Sequence, residues 1–368
     1  MRTRVGGLAK ARDKTANKKP GEHMMETRIT KLFGIKYPII LPGMSWISVP
    51  ELVAAVCNAG GIGWLATGPL TTDQTRESIK KIRKLTNKPF GAGATLLMPG
   101  ARENAEVLLE EQVPVINVSL GKCDWIAERA HKYGGKVIAT VTTEKHALAA
   151  EKQGADALQV TGNEAAAHGS QVTTLVLTPA IVKAVKIPVV SIGGYADGHG
   201  LAAALALGAD AIGMGTRLSM TKESPVHETT KKAQLEASID DTIYSNRFDG
   251  LYCRVLKTPQ AEKSIRQGIN LFRAMIAGPR IAKEMKLPLF KLMLGMLAQP
   301  QNMMKLAHMA TAFDKIKWAT EKGDLKYGVH LTGQIQGLIN DLPTVKEVIE
   351  QTVKEAKEVY KKMGTQLK

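Results

Sequence analysis

Between Pro38 and Met214 the chain repeats one pattern. A short apolar run ends at a small residue or a turn, and a polar stretch with apolar positions at helical spacing follows. The apolar runs are Pro38–Leu41, Gly61–Ala66, Pro89–Leu96, Pro114–Val118, Lys136–Val141, Ala157–Val160, Pro188–Ile192 and Ala211–Met214. Their continuous hydrophobicity suits strands covered on both faces, as in a parallel sheet. Helices are predicted between them. Leu52–Ala59 has Ser48 as its cap and Pro50 in its first turn. Thr72–Leu85, Arg102–Glu110, Asp124–Tyr133, Glu144–Gln153 and Thr178–Val185 follow. The last of the series, Leu201–Leu207, opens at Asp197 and stops at Gly208. Eight strands alternating with helices predict an α/β fold, a TIM (β/α)₈ barrel. A doubly wound sheet is the competitor, and the count of eight favours the barrel.

The pattern changes after Arg217. Residues 223–323 read as helical and without strands, with Met at 275, 285, 293, 296, 303, 304 and 309. Such thioethers suit the lining of an apolar cavity, a small helical core, or a basic amphipathic helix at a membrane surface. Leu331–Ile339 leads back to the barrel. Thr344–Met363 predicts a closing helix that packs through Val345, Val348, Ile349 and Val353. The expected division is a disordered basic tail at 1–23, a barrel at 24–222, an inserted helical substrate or lid domain at 223–323, and a returning segment at 324–368.

Charge sharpens this division. The net charge is +16, and residues 1–23 hold 7 Lys/Arg against 2 Asp/Glu. Residues 254–368 hold 20 against 10, so the barrel part is nearly neutral. A neutral barrel argues against a nucleic-acid groove. No apolar run has the length of a membrane span. Cys57, Cys123 and Cys253 show no metal-ligand spacing, which suits a reducing, cytoplasmic compartment.

Candidate chemistry sits at the strand ends. The seventh run ends in Gly193-Gly194 and the eighth in Gly215-Thr216. Glycines there let backbone N–H groups approach a phosphate, as loops after the last two strands of such barrels often do. The loop TGNEAAAHGS, 161–170, leaves the sixth strand and carries His168 over the barrel mouth. An imidazole there can act as a general base near neutral pH. Glu164 can orient it or hold the loop.

PIILPGM, AGGIGWL at 59–65, GNEAAAH at 162–168 and IGGYADGHGLAAALALGADAIGMGTR together resemble the nitronate monooxygenase family, formerly 2-nitropropane dioxygenases. Flavin-dependent enoyl-acyl-carrier-protein reductases are related. The resemblance covers about residues 26–222, and GQIQG near 331–340 is similar to the family's returning segment. It implies an FMN-binding barrel with a helical insertion after strand eight. The FMN phosphate would lie on Gly193, Gly194, Gly215 and Thr216. The flavin ring would lie near Pro42, Gly43, Met44 and Thr95, with Gly162 in the same cofactor shell. His168 matches the family histidine held to take the substrate's α-proton or to sit beside the nitronate at the flavin. Ala166 and Ala167 replace two signature glycines, and Gly169 follows the histidine directly. The implied activity is oxidation of alkyl nitronates with O₂. Alternatives are NAD(P)H-dependent reduction of a quinone or enoyl thioester, and a flavin-binding protein without turnover. The implied partners are small molecules, with no nucleic acid. The oligomeric state stays open, a homodimer being one option.

Overall fold

The eight apolar runs close on one another. The computed structural model describes residues 25–98, 100–166, 168–268 and 312–366. The basic tail and the Met-rich stretch named above lie outside these residues. Strands β1 (Ile39–Leu41), β2 (Ile62–Leu65), β3 (Gly91–Thr95) and β4 (Val115–Ser119) form the first half of a closed parallel barrel. Strands β5 (Lys136–Val141), β6 (Ala157–Thr161), β7 (Val189–Ile192) and β8 (Ala211–Gly213) complete it. Closure is the β1–β8 pairing, with Ile39 opposite Ile212 and Ile40 opposite Gly213. Every residue of β1, β2, β6, β7 and β8 is buried, which explains runs without alternation.

Helices alternate with the strands. α1 (Arg28–Phe33) precedes the barrel, and α2 (Pro50–Asn58), α3 (Thr72–Leu85), α4 (Ala101–Glu110) and α5 (Asp124–Lys132) follow β1 to β4. α6 (Glu144–Lys152), α7 (Thr174–Ala184) and α8 (Gly198–Ala206) follow β5 to β7. Arg28 of α1 makes two hydrogen bonds to the Asp210 carboxylate, 2.8 and 2.7 Å long, beside the start of β8. Asp197 caps α8 as expected, its side chain accepting from Gly200 N.

Two helix starts differ from expectation. Ser48 does not cap α2; the cap position is Val49. The Ser48 hydroxyl instead accepts from Met44 N at 3.0 Å and donates to Pro42 O at 2.7 Å. It is used up in shaping the turn after β1. α7 begins four residues before Thr178, and Pro179 lies inside it. The extra turn forms because the Glu164 carboxylate accepts from Thr174 N at 3.0 and 2.9 Å.

Beyond β8 come α9 (Thr216–Ser219) and α10 (Glu228–Leu235). The expectation of a strand-free segment is corrected here. β9 (Thr242–Ser245) and β10 (Cys253–Leu256) pair antiparallel. Thr242, Ile243 and Tyr244 in β9 and Val255 in β10 favour strand, and Asp249-Gly250 lies between them, with Gly250 at φ 93°. α11 (Pro259–Gln267) and a helix over 312–322, α12, pack with this hairpin in a second small core of Phe248, Val255, Ala312, Ile316 and Val329. The chain returns through an antiparallel bridge from Leu331 to Val255 and a 3₁₀ turn, Gln334–Leu338. The closing helix α13 (Val345–Gln366) buries Val345, Val348, Ile349 and Val353 against the barrel's helices. Each such side chain contributes roughly 1.5–3 kcal/mol of burial.

Candidate active site

A cavity of about 770 Å³ lies at the carboxyl ends of the strands. Its lining brings together Pro42, Gly43, Met44, Thr95, His168, Gly193, Gly194, Gly215 and Thr216. These are nine of the ten positions singled out from the sequence. The tenth, Gly162, is not part of the lining. Its N–H donates to Ile192 O at 3.0 Å, and a Cβ there would collide with Thr174 Oγ1 and come within 2.6 Å of Thr174 N. Gly162 lets the β6 loop pack on α7; it does not face the cavity.

Backbone dominates the wall after β7 and β8. Gly193 and Gly194 take φ 120° and 76°, a region that side chains rarely occupy. A Cβ on Gly193 would come within 2.7 Å of Thr174 Oγ1. Gly333, from the returning segment, donates its N–H to Thr216 Oγ1 at 2.9 Å and lines the same space. Neutral polar side chains of the strands, among them Asn117, Thr140 and Gln159, also line it. Trp64, fully buried, donates Nε1–H to Gln159 Oε1 at 2.9 Å and fixes that amide.

The β6 loop carries the ionisable groups. Glu164 does not orient His168. Its carboxylate accepts from the Thr174 N–H and from Thr174 Oγ1 at 2.7 Å, so it holds the loop on α7. The loop also folds on itself, with Ser170 N bonded to Thr161 O at 2.9 Å. His168 Nε2 lies 2.7 Å from Asp249 Oδ2. The Asp249 side chain is 5% exposed and that of His168 28%. Asp249 Oδ1 accepts from Leu251 N at 3.0 Å, so the carboxylate is fixed by its own turn.

The hairpin clasps this loop at three further points. Arg254 N donates to Ala166 O at 3.1 Å. The Arg254 guanidinium donates to Asn163 O at 3.1 and 2.8 Å and lies 5.1 Å from the centre of the Tyr244 ring. Tyr244 OH donates to Ser170 O at 2.8 Å. Burial lowers the Arg254 pKa from its ordinary value, but hydrogen bonds to carbonyl oxygens keep a guanidinium charged. Positions 163 and 166, in the stretch where this sequence departs from the glycine signature, are thus held from outside by β10.

Asp249, Arg254 and His330 escaped the sequence reading. The signal for the first two was the Asp-Gly pair between branched and aromatic residues, a hairpin cue. His330 has no motif. It is 1% exposed, lines the cavity and is pushed down to about 4 by burial. The three cysteines are buried and free, and burial raises the thiols of Cys57 and Cys123 to about 12 and 11. Among the described residues no group of three His, Cys, Asp or Glu could hold a metal ion, and no helix is long and apolar enough to cross a membrane.

The comparisons with known proteins follow this geometry. A family model described as nitronate monooxygenase matches residues 26–108 and 100–355. A carboxyl-CoA dehydrogenase of Rhodococcus jostii strain RHA1, acting on a 7a-methyl-1-oxo-octahydroindene skeleton by its name, is 34% identical over 345 residues. That match covers 90% of this chain and 96% of the relative. A probable nitronate monooxygenase of Staphylococcus aureus strain JH9 is 31% identical over 275 residues, covering 62% of this chain and 78% of its own. The structure of FabK from Thermotoga maritima superposes with a TM-score of 0.79 at 34% identity, over 93% of this chain and 99% of that one. Barrel, strand-end cavity and similarity along nearly the whole length agree, and the chain belongs to the nitronate monooxygenase family of oxidoreductase enzymes.

Proposed function

We propose that this enzyme is an FMN-dependent oxidoreductase acting at a carbon beside an electron-withdrawing group, with an alkyl nitronate as substrate and O₂ as electron acceptor. The observation that carries the reading is the His168–Asp249 pair, which shares one cavity with the glycine ends of β7 and β8. The residues present fit FMN. Gly193 and Gly194 line the cavity with backbone at φ 120° and 76°, conformations that side-chain-bearing residues rarely adopt, and the volume is that of a cofactor or ligand site. Gly193, Gly194, Gly215 and Thr216 would hold the phosphate, and Pro42, Gly43, Met44 and Thr95 would flank the ring. Bound FMN would supply the electron relay between substrate and O₂.

The chain's own contribution is the proton. An ionised Asp249 only accepts hydrogen bonds, so a neutral His168 carries its ring proton on Nε2. Nδ1 is then the basic atom. On the neutral nitroalkane, the conjugate acid of the nitronate, it takes the α-proton to give the nitronate; beside a nitronate that enters as the anion, the imidazole once charged stabilises the negative charge and no proton is abstracted.

A second substrate reading, an acyl or enoyl thioester with NAD(P)H or another carrier, has its own support. The carboxyl-CoA dehydrogenase relative matches over far more of the chain than the nitronate monooxygenase relative does. Anaerobic visible spectra of the purified protein test both. Bleaching of a yellow band by propyl nitronate, with recovery in O₂, is the expected result. Bleaching by NADH or NADPH alone, with consumption of an enoyl thioester, would replace nitronate by the second substrate. Protein without flavin would contradict both.

A further inference from the structure

Part of the cavity wall is apolar and comes from outside the strands. Phe313, Ile316 and Thr320 lie on one face of α12, at helical spacing. Trp46, from the turn after β1, meets Phe313 edge-on with ring centres 5.4 Å apart. It does so at φ 61°, a strained backbone for a bulky residue. His330 and Leu331 complete this patch, and all six residues line the cavity. His330 is held by its backbone, its carbonyl accepting from Leu256 N at 2.9 Å.

The His330 side chain is the anomaly. Its Nε2 is buried and has no hydrogen-bond partner among the described residues. Its Nδ1 lies 3.5 Å from Thr320 Oγ1, which can donate to it and so leave the ring proton on Nε2. Buried polar atoms are nearly always paired, and an orphan costs free energy until something meets it. A water would need two to four polar partners. Among these six residues the other polar side-chain groups are only the Thr320 hydroxyl and the Trp46 indole. None of the six carries a charge, because burial keeps the imidazole neutral at pH 7.

We propose that Trp46, Phe313, Ile316, Thr320, His330 and Leu331 form a binding compartment for an apolar part of the substrate bearing one neutral carbonyl oxygen, with His330 Nε2–H as its donor. The absence of a cation among the six disfavours a carboxylate or phosphate there. The inference rests on the reading that substrate enters this cavity, and it adds what the substrate's body looks like. His330 is a specificity residue here and takes no part in proton transfer at the reacting carbon.

The test is calorimetric binding to the purified protein of two isosteric probes, trans-decalone and methylenedecalin. They differ in C=O against C=CH₂. The ketone is expected to bind on the order of ten-fold tighter, the worth of one buried hydrogen bond. His330→Phe should erase that preference and raise the melting temperature, because it removes the orphan atom. His330→Gln, which retains a donor, should keep part of the preference and covers the case in which the Phe variant does not fold. Equal affinities in the wild-type protein, or a ketone preference that survives His330→Phe, would overturn the proposal. Turnover of propyl nitronate and of an enoyl thioester is measured on the same samples. Loss of all turnover with an intact ketone preference would count against the reaction and leave the compartment standing.

Discussion

The barrel and the segment after α9 contribute different material to one cavity. At β7 and β8 the barrel offers backbone, with Gly193 and Gly194 at positive φ after β7, and small neutral side chains. The later segment offers reactive or selective side chains: Asp249 on His168, Arg254 on the β6 loop, and the unpaired His330. A backbone cradle recognises a phosphate whatever else the ligand carries. On the proposed reading, the side chains of the later segment would decide which proton moves and which substrate fits. Under the proposed function, the first region would be a seat for a cofactor and the second a separate layer that sets the chemistry.

The largest effect should come from breaking the link between the two. His168→Asn removes the base while leaving the glycine ends intact. With a neutral nitroalkane, whose α-proton must be removed, the expected loss in kcat/KM is about 10³–10⁴-fold with flavin content unchanged, and with the preformed nitronate the loss should be smaller, measured by steady-state assay and the visible spectrum. Equal loss of flavin would mean that His168 belongs to the seat. Asp249→Asn is next. Its amide can accept or donate, so the histidine proton is no longer confined to Nε2. Turnover should fall about 10²-fold with KM little changed, as for residues that orient an imidazole. Nitrogen NMR of labelled histidine should show a single Nε2–H tautomer for His168 in the wild type and a mixture in the variant.

A smaller effect concerns stability. His330 is neutral in the folded state down to pH about 4, whereas an exposed histidine protonates near 6.5. Between those values the unfolded chain binds the extra proton, so stability falls as pH falls. The loss should reach roughly 2–3 kcal/mol. Denaturant melts at pH 7 and pH 4.5 should show that slope, and His330→Phe should remove this contribution. The smallest effect is expected at the cysteines. Cys57 and Cys123 are buried with thiols raised to about 12 and 11, so a disulfide reagent at pH 8 should label neither until the protein unfolds.

The same division explains what could be read from the chain. Barrel strands are legible because burial on both faces leaves continuous apolar runs, and Gly193-Gly194 is legible because only glycine tolerates that backbone. The hairpin is harder to read: its Asp249-Gly250 cue is there, but Thr242–Ser245 and Cys253–Leu256 are four residues each and mix polar with apolar positions. Ser48 looked like a helix cap because its hydroxyl could have served that end, but the turn after β1 claimed it. Gly162 looked like part of the cofactor shell, and its smallness is spent on packing against Thr174. Asp249 meets His168 across 81 positions of sequence, a distance at which no local pattern marks a pair. The ten-residue signature that stood out is local; the groups that hold it are not.

The proposed chemistry needs a flavin held in the cavity by its phosphate at the ends of β7 and β8. It is tested most directly by titrating flavin-stripped protein with FMN and with riboflavin, following flavin fluorescence. One FMN per chain is expected, bound at least about ten-fold tighter than riboflavin, because the cradle would recognise the phosphate. Equal affinity for the two, or no uptake of either, would contradict it.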